Sequence, residues 1–357
     1  MERIIDGHTH FDLLESREQF LSDMDGSGID QFSILVIGRD NAEPDCFKQA
    51  HALWFKNRHP DRVHVFGGLD YTGMFDLGRP EPDVPFVRQI QTMMEVGCDG
   101  LKLLSGKPDR RKWMGQPLDG PTYRPMLDFL EETGFPVLWH VADPPEFWDK
   151  NAVPQWAKIQ QWWYDSSHPP KAQIEKEINQ VLADHPRLNV TFPHFFFLSN
   201  RLQDAADVLK RHPNVKFDLA PGIEMNHNFT ANYEVSRQFF IDHADRIIYG
   251  TDSGMMNQTT SPQRPKMVRR FVESSDEIVV PQDPAFTPDD RPNLHGLGLD
   301  PKITRLILRE NFQRFVGRKQ PRPLNKTRLR EVLKELGDNA RARGEKNPTA
   351  DRVLAEV

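Results

Sequence analysis

Eight short runs rich in β-branched and apolar residues recur along the chain, each followed by a stretch with helical amphipathic spacing, at intervals of roughly 35 residues. That rhythm of βα units narrows the possible folds more than any other feature. The runs fall at 3–8, 31–37, 63–69, 99–104, 136–141, 189–195, 215–220 and 246–251, and the helical stretches at 16–26, 45–58, 84–96, 122–133, 173–185, 201–212, 232–244 and 301–316. Gly97 and Gly134 supply stop signals. His-Pro pairs at 59–60, 185–186 and 212–213 do the same, because proline disfavours helix in the residue before it. Eight units point to an α/β fold closed as a (β/α)8 barrel; an open, doubly wound sheet is the rival, since periodicity does not show closure.

Three segments interrupt the rhythm, at 105–121, 142–172 and 253–300. Each follows the carboxyl end of a strand, the side on which a βα barrel builds its active site. The second holds Trp148, Trp156, Trp162, Trp163 and Tyr164 among prolines. So much aromatic surface must be buried against something, so a lid or pocket wall is expected there. From Arg318 onward the chain has 11 Lys and Arg against 6 Asp and Glu, a local +5 that leaves −11 on the preceding residues of a chain of net charge −6. Leu329, Val332, Leu333 and Leu336 lie at helical spacing, so the expected division is a barrel over 1–317 and a basic helical extension over 318–357, with a solvated, partly frayed tail after Gly337.

No apolar run approaches the ~18 residues a membrane span needs, and no signal-peptide core follows the charged start, so a soluble, cytoplasmic protein is expected. With Cys46 and Cys98 as the two cysteines, a disulfide framework and a cysteine-built zinc module are excluded. Mild acidity argues against nucleic acid as a partner. A small-molecule substrate is expected, with homo-oligomerisation left open.

The first run ends Asp6-Gly-His8-Thr-His10, and strand alternation puts both imidazoles on one side, able to converge on a metal. His140 and His194 lie near the ends of the fifth and sixth runs, and Tyr249-Gly-Thr-Asp252 ends the eighth. One histidine at a strand end is ordinarily a hydrogen-bonded core residue. Four positions of compatible chemistry at the same barrel mouth are much harder to assign to packing.

With these motifs the chain resembles the amidohydrolase superfamily, within it the amidohydrolase-related branch that includes aminocarboxymuconate-semialdehyde decarboxylase-like proteins. The likeness continues through Gly296-Leu-Gly-Leu and Glu310-Asn-Phe and covers about 315 residues. It implies a distorted (β/α)8 TIM barrel with long βα loops, and a divalent metal, zinc in the first instance, as one ion rather than two. By resemblance His8, His10 and His140 are ligands, and Asp252 either completes the site or takes a proton from the metal's water. His194 is expected to act as electrophile or general acid, with metal ligation as its other reading. Lys102 is open between a substrate-carboxylate contact, a carboxylated bridge between two metals, and a structural cation paired with a neighbouring acid.

Arg39 is a candidate for an anionic substrate, Trp148 and Trp163 for its walls, Asp6 for holding a ligand imidazole by its other N–H, and Asp70 and Asp218 for orienting groups at the rim. His51, His59, His64, His185 and His212 are assigned no role. The function expected is hydrolysis of an amide, ester or lactone carbonyl by metal-activated water. Non-oxidative decarboxylation or hydration of a carboxylated aromatic or enol compound is the runner-up, and a metal- or ligand-binding protein without turnover is the reading from another class.

Overall fold

A computed structural model describes residues 3–11, 14–39, 48–74, 79–222, 224–254, 263–280 and 292–357. The side chain of Trp156, Cys46, and much of the 253–300 loop lie outside the described residues. Eight parallel strands stand side by side in chain order: β1 (Ile4–Thr9), β2 (Ile29–Leu35), β3 (Val63–Gly68), β4 (Gly100–Gly106), β5 (Val137–Val141), β6 (Val190–Phe192), β7 (Val215–Asp218) and β8 (Ile247–Ile248). The sheet then comes round on itself. Gly7 N–H donates to Tyr249 O at 2.9 Å, Asp252 N–H to His8 O at 2.8 Å and His10 N–H to Ser253 O at 2.8 Å, which joins β8 to β1 in a nearly closed (β/α)8 barrel.

All eight strands coincide with the expected runs to within a few residues, and the stop signals act as the chemistry requires. Helix Phe86–Val96 ends at Gly97 with φ +103°, helix Arg124–Thr133 at Gly134 with φ +62°, and helices Gln49–Arg58, Lys171–Asp184 and Leu202–Arg211 stop at His59, His185 and His212, each just before proline.

Inside the barrel, Ile5, Leu35, Phe66, Leu138 and Ile248 pack on Phe312, Phe315 and Val316 of the last barrel helix, forming an apolar plug. Because side chains alternate along a strand, Gly68 and His140, two positions beyond Phe66 and Leu138, share that inward face nearer the mouth, and Lys102, in register with Gly68 and Leu138, and Asp218, in register with Ile248, lie on it too. The plug is therefore the floor on which the polar site is built.

The rim segments are more ordered than their composition suggests. The polar stretch at 105–121 contains a helix, Pro108–Met114, with proline at its first turn and left-handed Gly115 at its end. In the 142–172 segment Phe147, Val153, Ala157 and Tyr164 form a small apolar core of their own, against which Trp148 and Trp162 pack. After β8 comes helix Gln263–Glu273, then a two-strand ladder of Glu277–Ile278 with Leu294–His295.

The basic extension is docked through both of its helices. Helix Lys326–Ala342, capped by the Asn325 side chain, buries Leu329, Val332 and Leu333, and Asn325 N–H donates to Val96 O at 3.1 Å. The expected fraying after Gly337 is not what the structure has: a further helix, Thr349–Leu354, buries Val353, and Glu356 accepts from Trp54 Nε1 at 2.6 Å and Arg58 Nη2 at 2.6 Å. Those polar anchors are what the apolar spacing alone did not reveal.

At the end of the barrel opposite the mouth, Lys56 Nζ is fully buried, donating to Gly97 O at 2.8 Å and to Asp99. Asp99 also accepts from Val65 N at 2.9 Å and Arg322 N at 2.8 Å, and His64 Nδ1 is 3.3 Å away. Burial works against its charge, but Lys56 and His64 outweigh it and hold the carboxyl well below the usual range. Among the described residues no helix is long and apolar enough to cross a membrane.

Candidate active site

Three ligand-type atoms converge at the mouth. His8 Nε2 and His10 Nε2 each lie 3.2 Å from Asp252 Oδ1, and all three residues are buried. Their ligand atoms lie within 4.8 Å of one another. The outer nitrogen of each ring is already committed: His8 Nδ1 to Asp218 Oδ2 at 2.7 Å, His10 Nδ1 to Leu35 O at 2.8 Å. A carbonyl or carboxylate oxygen accepts only, so both rings carry hydrogen on Nδ1 and turn Nε2 inward. Orientation of this kind is what metal-binding imidazoles require.

The electrostatics agree with a cation at this point. Burial opposes charge on His8, yet Asp218 and Asp252 overcome it and hold the imidazole above its usual value, while the two histidines hold Asp252 well below the carboxylate range despite burial. Buried acceptor atoms facing one another need positive charge among them. A divalent ion fits the donor set, since two neutral imidazoles and one carboxylate make a common three-residue ligand combination.

Gly250, in Tyr-Gly-Thr-Asp, lets β8 approach this closely: a Cβ there would stand 2.9 Å from His8 Cβ. Gly250→Ala should therefore push His8 off its position and weaken divalent-metal binding about tenfold, a loss of the size seen when ligand orientation is disturbed, measurable by competition with a chromogenic chelator.

His194 stands beside this group, its ring 5.5 Å from that of His8 and 5.1 Å from that of His140. Its Nδ1 donates to Ala220 O at 3.0 Å, leaving Nε2 as an acceptor, and burial, aided by His140, pushes its pKa down to about 3. At neutral pH this ring has no Nε2 proton to give. The backbone that carries it is strained: His194, Phe195, Phe196 and Phe197 all have φ between 52° and 55°, a left-handed turn of four residues with side chains, at about 1–2 kcal/mol each. Packing sustains it. Phe195 lies among Phe217, Phe229 and Phe240, Phe196 stacks on Phe192 at 4.3 Å, and Phe197 stacks on the His194 ring at 5.3 Å.

His140, expected among the ligands, turns Nε2 to Ala142 O at 3.0 Å and Asp143 Oδ1 at 3.2 Å, so only its Nδ1 is free. It lies next to His194 and is not in the group formed by His8, His10 and Asp252. Asp6, expected to hold an imidazole, instead accepts from the His8 backbone N–H at 3.1 Å and from Thr251 Oγ1 at 2.6 Å, and burial raises its pKa to about 7. The imidazole partner is Asp218. Lys102 is 1% exposed with no hydrogen-bonded or ion-pair partner among the described residues, and burial pushes its pKa down to about 8 against the attraction of Asp252 and Asp218.

Arg39 and Asp70, beyond the ends of β2 and β3, sit 4.0 Å apart, and Arg343 of the extension reaches Thr72 Oγ1 at 2.8 Å and Asp70 Oδ2 at 3.4 Å. Trp148 is held inside the 142–172 segment by a bond from Nε1 to Pro169 O at 3.2 Å, whereas Trp163 is 38% exposed. The sequence reading missed Asp143. It gathers His140, Lys107 Nζ at 2.6 Å and Tyr164 Oη, and its backbone carbonyl accepts from Lys171 Nζ at 2.7 Å. Its place three residues after His140 was the available signal. Phe197 was missed as well, although a triple phenylalanine directly after a strand-end histidine marks an apolar wall.

A family model described as Amidohydrolase matches residues 5–318. The chain belongs to the amidohydrolase family. Its fold is similar to 5-carboxyvanillate decarboxylase from Sphingomonas paucimobilis (12% identity over 88% of this chain and 99% of that one, TM-score 0.53) and to 4-oxalomesaconate hydratase from Rhodopseudomonas palustris (13%, 94% and 99%, TM-score 0.52). It is also similar to a dihydroxybenzoic acid decarboxylase from Polaromonas sp. JS666 that holds manganese and the inhibitor 2-nitroresorcinol (13%, 89% and 97%, TM-score 0.51). No curated protein sequence matches. The family is one of enzymes whose members use divalent metals, and the extension after residue 318 lies beyond the match.

Proposed function

We propose that this chain is a metal-dependent hydrolase of small organic substrates, with one divalent ion, zinc first among the candidates, held by His8, His10 and Asp252. The observation that carries the reading is the convergence of two inward Nε2 atoms on Asp252 Oδ1, both rings fixed from behind. An ion there would supply Lewis acidity, polarising a substrate carbonyl and acidifying water. Asp252 is the group poised to take the attacking water's proton and return it to the departing atom. His194 offers Nε2 as a second acceptor beside it; the acid role expected from sequence would require a proton delivered there first. His140 could join as a ligand through Nδ1 alone. Lys102, a buried cation with no hydrogen-bonded or ion-pair partner among the described residues, is assigned to a carboxylate of the substrate, and Phe197 to the apolar wall against which a flat substrate lies.

A second reading, decarboxylation or hydration of a carboxylated aromatic or enol compound, is favoured by the same buried Lys102 and by the reactions named for the similar structures. The deciding experiment incubates the zinc- or manganese-loaded protein in 18O-labelled water with lactone, ester and amide substrates alongside hydroxybenzoates. Cleavage of the lactone, ester or amide with 18O in the new carboxylate and no CO2 released supports hydrolysis; 18O uptake without cleavage, or CO2 release without 18O in the organic product, overturns it. Chelation should abolish turnover and metal should restore it; turnover that persists without metal would sink both readings.

A further inference from the structure

One carboxylate ties the two halves of the site together. Asp218, the last residue of β7, uses Oδ2 to accept from His8 Nδ1 at 2.7 Å and Oδ1 to accept from the backbone N–H groups of His194 at 2.9 Å and Ala220 at 3.0 Å. The Ala220 carbonyl in turn accepts from His194 Nδ1 at 3.0 Å. Asp218 is fully buried, so every one of these bonds is made without water competing. His194 is also the first residue of the left-handed turn, whose backbone would relax if its entry were released.

We infer that Asp218 is a positioning residue that couples the two histidines, fixing the His8 ring with its Nε2 lone pair toward Asp252 and, through the same carboxylate, anchoring the turn that presents His194. The inference deepens the metal-site reading above and rests on it for the use made of the two lone pairs. The coupling itself follows from hydrogen-bond inventory. A carboxylate satisfies a ring N–H on one oxygen and two backbone N–H groups on the other; an amide of the same shape has one accepting end and one donating end. Asparagine at this position cannot serve both sides. If its oxygen faces the backbone, its NH2 faces His8 Nδ1 and drives the proton to Nε2, the nitrogen a metal would need. If its oxygen faces His8, its NH2 opposes the His194 and Ala220 N–H groups, and the turn loses its anchor.

The test compares the metal-free full chain with Asp218→Asn by 15N NMR of histidine-labelled protein, assigning His8 and His194 from His8→Gln and His194→Gln spectra, with Zn2+ affinity measured by chelator competition. The wild type is expected to hold both rings with hydrogen on Nδ1. Asp218→Asn is expected to shift at least one of them to the other tautomer or to exchange between forms, and to weaken Zn2+ binding by 10–100-fold, with a far-ultraviolet circular dichroism spectrum like that of the wild type. A wild-type His8 with hydrogen on Nε2 and none on Nδ1, or a variant in which both tautomers and Zn2+ affinity are unchanged, would overturn the coupling. Should Asp218→Asn fail to fold, Ala220→Pro tests the same anchor by removing one N–H that Oδ1 accepts while leaving the carboxylate, and unchanged tautomers of both rings there also count against it. If the wild type binds no Zn2+ but its tautomers respond as stated, the metal reading fails and the coupling stands.

Discussion

In a His8→Ala plus His10→Ala variant, bound metal should fall from about one ion per chain to background while the circular dichroism spectrum stays that of a barrel. The rings lie above the apolar plug and contribute no large apolar surface to it, so the floor of the barrel is untouched. Two effects are then expected together. Added Zn2+ would no longer raise the melting midpoint, a loss of about 4 kcal/mol at a thousandfold excess over the dissociation constant. Turnover would drop by about 10^3-fold or more, since Lewis acidity is worth several kcal/mol and each 1.36 kcal/mol is a factor of ten. Metal analysis by plasma mass spectrometry checks the first link without any substrate in hand. Retained metal at full occupancy would remove the ligand assignment.

Asp99→Ala should be the most destabilising single change at the opposite end. It strands the Lys56 ammonium in the core with one carbonyl partner and leaves the Val65 and Arg322 N–H groups without their acceptor. Removing one member of a buried pair costs about 3–5 kcal/mol. Urea unfolding measures it as a lowered midpoint at unchanged slope. Metal affinity in the folded variant should match the wild type, because among the described residues this cluster shares no bond with the mouth. Replacing both partners, as Lys56→Met with Asp99→Leu, should cost less than Asp99→Ala alone, since no charge is then buried unpaired. A double variant as unstable as the single one would put the damage in the unsatisfied Val65 and Arg322 amides instead.

The barrel was readable because its signals are local. A strand, its amphipathic helix and a glycine or His-Pro stop sit within ~35 residues, and each is decided by its own composition. The pairing of β8 with β1 has no such signal: it depends on hydrogen bonds between residues 7 and 249 and between 8 and 252. In the site, His8, His10 and Asp252 were legible as motifs, but the partner of each outer ring nitrogen was not. Asp6 is adjacent in sequence and turns out to hold a backbone amide, while Asp218, 210 residues away, holds the ring. Lys102 shows the same limit. Its strand was evident, but whether any acid faces it depends on which side chains neighbouring strands turn inward. The left-handed turn was invisible for another reason: nothing in His-Phe-Phe-Phe prefers it, and it exists because surrounding rings leave no other place for those side chains.

The docked extension also bears on how the chain reaches this state. Arg352 bonds Glu15 across 337 positions, and Glu356 and Arg343 meet Trp54 and Thr72. During synthesis the first three βα units are complete while the residues that cover them are still inside the ribosome, so that flank waits uncovered until the last few dozen residues emerge. Long-separated contacts of this kind form late and slow the final step of folding. A chain stopped near residue 318, the limit of the family match, would emerge with that flank permanently bare and should be recovered from cells mainly as aggregate.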